Sequence, residues 1–144
     1  DRGAPELAFS SLYINATDGS ALGTELKRNL ASLGTLQLVS EAAQANTAQA
    51  ILDVLTEQRE KTVVGVNASG QVREFQLRVR VRFRLRTPQG KELIPDTELL
   101  QQRDISFNET AVLAKESEEA LLYRYMQTDI VQQLMRRLAA VRTL

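Results

Sequence analysis

The sequence predicts an α+β domain in which two helices pack on one face of a single mixed β-sheet. Three observations predict it. From Phe75 to Arg86 the residues alternate, with Phe75, Leu77, Val79, Val81, Phe83 and Leu85 on one side and Arg78, Arg80, Arg82, Arg84 and Arg86 on the other. Only the period of two of a β-strand separates these sets. Two other segments carry leucine-rich stripes at helical spacing. The order of elements is strand, helix, strand, a three-strand meander and a long helix, for which the simplest packing covers one sheet face with both helices. A length of 144 residues suits one domain, residues 1–144.

Residues 7–15 read as a first strand, ended by Asp18-Gly19. Leu22, Leu26, Leu30 and Leu33 form the stripe of a helix over residues 20–33, which Gly34 stops. Leu36 to Val39 is a short second strand beside the first, and residues 40–47 form a connection or a loose helical turn. A third strand covers residues 51–66, although its middle, residues 56–62, is polar on both faces. Asn67-Ala68-Ser69-Gly70 is a turn. The arginine strand runs over residues 72–87, Pro88-Gln89-Gly90 reverses the chain, and residues 92–107 form a fifth strand. Pro95 within it marks a sheet edge or a bulge. Leu122, Met126, Ile130, Leu134, Leu138 and Val141 form the stripe of the last helix, residues 110–141, with Thr110 able to cap its start. Arg136, Arg137 and Arg142 suit the negative end of its dipole.

The arginine row spans about 26 Å at the rise of a strand. Either it meets an anionic partner or neighbouring strands neutralise it. If Pro88-Gln89-Gly90 is a three-residue hairpin loop, Thr87 faces Lys91, Arg86 faces Glu92, Arg82 faces Asp96 and Arg80 faces Glu98. The same register sets Leu85 against Leu93 and Val79 against Leu99 on the core face. It leaves Arg78 and Arg84 freer to meet a partner. Glu57 and Glu60 are candidate partners from the third strand, which offers no clean register. On the functional reading, guanidinium forks along the row follow the oxygens of a polyanionic ligand.

Composition narrows the chemistry. Eighteen basic residues balance eighteen acidic ones, and the chain has neither cysteine nor histidine. Thiolate catalysis, disulfides and Cys- or His-ligated metals are thereby excluded, and the usual general base near neutral pH is missing. The neutral balance and the lack of aromatics on the arginine face argue against nucleic acid. Glu116, Glu118 and Glu119 read as a polar helix face, with Lys115 able to pair with Glu119. Asn15, Asn67 and Asn108 begin short matches to the glycosylation acceptor pattern at expected turns. Tyr123 and Tyr125 rim a core or mark a contact surface. With no catalytic residue set, metal cluster or cofactor loop in view, the residues read as a binding or structural domain rather than an enzyme.

Several segments resemble the LptE family, in order along the chain. Arg2-Gly3 resembles the end of the family's opening Cys-Gly-aromatic-x-Leu-Arg, and the first helix with Leu22, Leu26, Arg28, Asn29, Leu30 and Gly34 is similar to its counterpart. Ser69-Gly70-Gln71 and Glu74-Phe75-Gln76 resemble the Asn-Gly-Gln…Glu-Tyr-Gln hairpin. Leu113-Ala114-Lys115-Glu116 and Gln133-Leu134-Met135-Arg136-Arg137-Leu138 resemble the start and end of the last helix. The resemblance implies a lipoprotein at the periplasmic side of the outer membrane, held there by an N-terminal lipid anchor. It implies that the chain plugs the LptD β-barrel and binds lipopolysaccharide during its assembly. The family's lipopolysaccharide-binding lysine falls on Lys115. Its arginine falls on Ala68, so Arg73 on the same hairpin is the substitute candidate. Asp1 as a first residue implies that a leading segment was trimmed. The alternatives that remain are a periplasmic protein-binding scaffold without a lipid ligand and, more weakly, an RNA-binding α+β domain.

Overall fold

A computed structural model describes residues 7–108 and 111–144. The strands are β1 (Ser11–Asn15), β2 (Gln37–Val39), β3 (Ala50–Val66), β4 (Val72–Arg86) and β5 (Glu92–Ser106). The helices are α1 (Ala21–Ala31), α2 (Val112–Ala139) and a 3-10 segment, Ala42–Thr47, at the expected connection. Thr110, Asn108-Glu109-Thr110 as a whole motif, and Arg2-Gly3 reach outside the described residues.

One mixed sheet results, in the order β2-β1-β3-β4-β5. β1 is parallel to both β2 and β3, while β3, β4 and β5 form an antiparallel meander. The expected α+β architecture is therefore present. Gly70 and Gly90, at φ 81° and 99°, close the two hairpins in a region that side chains with a Cβ avoid. At the second hairpin Thr87 faces Lys91 as expected, its N–H donating to the Lys91 carbonyl at 2.9 Å.

The stripes meet as predicted. Leu22, Leu26 and Leu30 of α1 and Met126, Ile130, Leu134 and Leu138 of α2 are buried in one core with Leu77, Val79, Val81, Phe83 and Leu85 of β4. Each such side chain contributes about 1.5–3 kcal/mol of transfer free energy. Leu122 and Val141, at the ends of the second stripe, are only partly buried. The 3-10 segment packs beside β1 and β2.

The register of the β4–β5 hairpin corrects the expectation beyond its first pair. Arg86 faces Glu92, but Leu85 faces Ile94, Val81 faces Leu99 and Val79 faces Gln101. β5 gains one residue on β4 between Arg86 and Leu85 and another between Leu85 and Phe83. Pro95, which cannot donate to a ladder, lies in the second irregularity, on what is also an edge strand. β3 bulges as well: Val54 pairs with Phe83 and Thr56 with Arg82, leaving Leu55 unmatched. One extra residue reverses which side of the sheet each side chain takes. Residues 56–62 are all polar because both faces find polar partners there: Thr56, Gln58 and Glu60 pair with the arginine positions of β4, while Glu57 bonds the start of α1, Arg59 lies over the Tyr123 ring and Lys61 pairs with Glu119.

Candidate functional site

The arginine row lies on the sheet face away from the two helices, and carboxylates meet all five of its members. Glu60 of β3 lies 3.8 Å from Arg78 and 3.7 Å from Arg80. Arg80 also binds Glu98 at 2.6 Å, and Arg82 pairs with Asp96. Hydrogen bonding to Arg82 holds the Asp96 carboxyl below its usual value. The Arg80 and Arg82 pairs are those expected from sequence, reached diagonally because the register has shifted. Three expectations are corrected. Arg86 turns its Nε to Asp53 at 2.7 Å rather than to Glu92, and Arg84, expected to be free, shares the same oxygen at 2.8 Å. Arg78, also expected to be free, lies beside Glu60 and donates to Gln76 at 2.9 Å.

Asp53 is the centre that sequence reasoning missed. It is 3% exposed and also accepts a 2.9 Å bond from Asn15 Nδ2 on the neighbouring strand. Burial works against its ionisation and is the largest single influence. The hydrogen bonds from Arg86, Asn15 and Arg84 together overcome it, so its pKa lies below the ordinary carboxylate value. The signal was present: an aspartate within the apolar run Ile51-Leu52-Asp53-Val54 needs a partner. The bulge at Leu55 places Asp53 and Glu60 on the arginine face and turns Glu57 to the other side. Glu57 therefore does not serve the row. It accepts from Ser20 Oγ at 2.5 Å and from Leu22 N–H at 3.2 Å, reinforcing the start of α1.

A second cluster of chemistry-bearing residues lies at the far end of the β3–β4 hairpin. Lys115 Nζ donates to Ser106 Oγ and to Glu118, both at 3.1 Å. The expected partner Glu119 instead holds Lys61 at 2.8 Å. Arg73 donates to Gln71 at 3.4 Å, and its carbonyl accepts from Phe107 N–H at 2.8 Å. Ser106 and Phe107 are adjacent in the chain, so Arg73 and Lys115 flank the same end of β5. Ala68 occupies the hairpin turn. Along α2, Tyr123 is buried, with its hydroxyl donating to the Glu60 carbonyl at 2.9 Å and its pKa raised chiefly by burial. Tyr125 is 58% exposed.

The sequence matches the LptE lipopolysaccharide-assembly family over residues 9–138. The chain belongs to the LptE family. A solution structure of an uncharacterized lipoprotein B from Nitrosomonas europaea is 36% identical, with TM-score 0.82 over 96% of this chain and 88% of that one. A minor lipoprotein from Acinetobacter baumannii is 25% identical, with TM-score 0.73 over 95% of this chain and 96% of that one. A rare lipoprotein B from Shewanella oneidensis shares the fold at 22% identity, with TM-score 0.72 over 90% of this chain and 94% of that one. No curated protein gives a significant match.

Membership gives this LptE-family chain a role in lipopolysaccharide assembly. No helix among the described residues is long and apolar enough to cross a membrane. The two clusters offer different chemistry. The arginine row is a wet, charge-matched surface, whereas the hairpin end combines cations with exposed apolar side chains.

Proposed function

We propose that this chain is a lipid-anchored protein of the outer membrane, facing the periplasm, that seats in an LptD-type β-barrel and binds lipopolysaccharide by non-covalent contact. Family membership over residues 9–138 carries the reading. The geometry supports it in two ways. The open sheet face is polar and ionic, which suits a water-accessible barrel lumen better than lipid. Lys115 and Arg73 present an ammonium and a guanidinium at one end of the rigid hairpin, and both groups satisfy phosphate oxygens. A sheet that is already ordered loses little entropy when it binds.

Co-expression with the cognate barrel, detergent extraction and size-exclusion chromatography test the partner. A one-to-one complex is expected. Separate elution at every salt concentration would replace the plug with a free periplasmic carrier. For the ligand, Lys115→Asp is expected to weaken lipopolysaccharide binding while the circular dichroism of the domain stays unchanged. Unaltered binding would remove Lys115 from the site.

A further inference from the structure

The arginine face is internally satisfied, but the hairpin end is not covered. Among the described residues, Val63, Val64 and Val66 of β3 are 47%, 47% and 59% exposed, and Val112 and Leu113 at the start of α2 are 40% and 79% exposed. Large apolar side chains concentrated at one end of a molecule mark a binding surface more often than isolated ones do. Aromatic side chains continue this surface. Val63 faces Phe75 in the β3–β4 ladder. The Phe75 ring meets Phe107 edge-on, with centroids 5.6 Å apart and planes at 82°.

Cations surround this floor. Lys61 Nζ lies 4.3 Å from the centroid of the Phe75 ring. The Arg73 carbonyl is bonded to Phe107 N–H, and Lys115 is bonded to Ser106, one residue from Phe107. Glu119 and Glu118 hold the two lysines, but these ion pairs are part-exposed, with side-chain exposures of 40% and 24% for Lys61–Glu119 and 24% and 49% for Lys115–Glu118. Such pairs are weak enough for a phosphate to displace the carboxylate.

We infer that this end of the sheet is an amphiphile site in which Val63, Phe75 and Phe107 receive an acyl chain, while Lys61, Arg73 and Lys115 hold the phosphorylated sugar to which that chain is attached. The inference rests on the lipopolysaccharide-binding reading and deepens it, because contacts through Lys115 and Arg73 alone would read only the charged headgroup. An apolar floor makes affinity depend on acylation. Lysine stems contribute to the floor, since their methylenes lie along apolar surface while the ammonium groups stay wet.

The test compares two probes of identical headgroup: lipid A carrying its acyl chains, and the same phosphorylated glucosamine disaccharide with the chains removed. The chain is expected to bind the acylated probe at least about tenfold more tightly, the discrimination that burial of only about two methylenes produces. Val63→Asp places a carboxylate in the path of the acyl chain at a position exposed enough to tolerate it. It is expected to abolish the preference for the acylated probe. Phe107→Ala, checked by circular dichroism, is expected to act in the same direction. Lys115→Asp should weaken both probes alike. Equal binding of the two probes, or a preference that survives both Val63→Asp and Phe107→Ala, would overturn the acyl site and leave the headgroup reading standing. Failure of the wild-type chain to bind either probe would overturn both.

Discussion

Replacing Asp53 with asparagine removes one charge from the middle of a network that two arginines share. The carboxylate is 5% exposed at its side chain and accepts Arg84 Nε at 2.8 Å, Arg86 Nε at 2.7 Å and Asn15 Nδ2 at 2.9 Å. Hydrogen bonds to a charged group contribute about 1.5–3 kcal/mol each, and breaking one side of a buried pair costs about 3–5 kcal/mol. The guanidiniums of Arg84 and Arg86 are 44% and 29% exposed, so water recovers part of that loss. They also stand only two residues apart on one strand, about 7 Å, and would repel once their shared anion is gone. The expected loss is about 2–3 kcal/mol, a fall in melting temperature of about 5–10 °C for a domain of this size. The pH dependence provides a second reading. The folded pKa of Asp53 is depressed, so its stabilisation is fully present above the unfolded value near 3.8 and is lost as pH falls through the lower folded value. Urea denaturation from pH 7 down to pH 2, followed by circular dichroism, should show an acid limb that Asp53→Asn flattens. A variant as stable as the parent at pH 7, with an unchanged acid limb, would show that the network is not a stabilising one.

Val81→Asp sets an unpaired carboxylate at a position that is 0% exposed between the sheet and the helices, and should destabilise by about 3 kcal/mol or more in thermal unfolding; melting like the parent would refute the packing. The Arg80–Glu98 pair is the opposite case. With side chains 27% and 42% exposed it should yield a coupling of no more than about 1 kcal/mol in a double-mutant cycle, whereas a coupling of several kcal/mol would mean the row drives folding.

The parts of the fold that were legible in the sequence are those in which one periodicity holds without interruption. The alternation of β4 and the leucine stripes of α1 and α2 fix which faces meet, and the core formed as they predict. Register was legible only as far as strands remain regular. The arginine pairs with Glu98 and Asp96 were anticipated, but the extra residues of β5 moved the apolar partners, and Pro95 announces such an irregularity without giving its size. β3 was harder, because the bulge at Leu55 exchanges its two faces midway and the register shifts again on either side of Gly65. A pattern read without the Leu55 bulge keeps Glu57 on the same side as Asp53, toward the arginines, and sends Glu60 to the helices. At the hairpin end, Lys115 and Arg73 entered through family resemblance. The apolar floor escaped notice because Val63, Phe75 and Phe107 lie on three different strands or their ends, and no local spacing joins them.

The matched row bears on how the domain would seat in a barrel. Had the face evolved to hold a polyanion, carboxylates at Asp53, Glu60, Asp96 and Glu98 would oppose it, since each competes for the same guanidinium forks. The arrangement instead keeps a long polar surface hydrated, ordered and close to electrical balance. A partner lumen complementary to such a surface carries charges of both signs, and its attraction to the domain falls only gently as salt screens it. For the proposed complex with an LptD-type barrel, the dissociation constant should therefore rise by less than about tenfold between 0.05 and 0.5 M salt, because few uncompensated charges are brought together. Five unneutralised arginines meeting an acidic wall would behave differently, steering association strongly at low salt and losing affinity steeply as ions are added. Surface-based binding measurements across that range separate the two. A fall of more than about a hundredfold would mean that the carboxylates release the arginines on docking and that the neutral face is a property of the free domain alone.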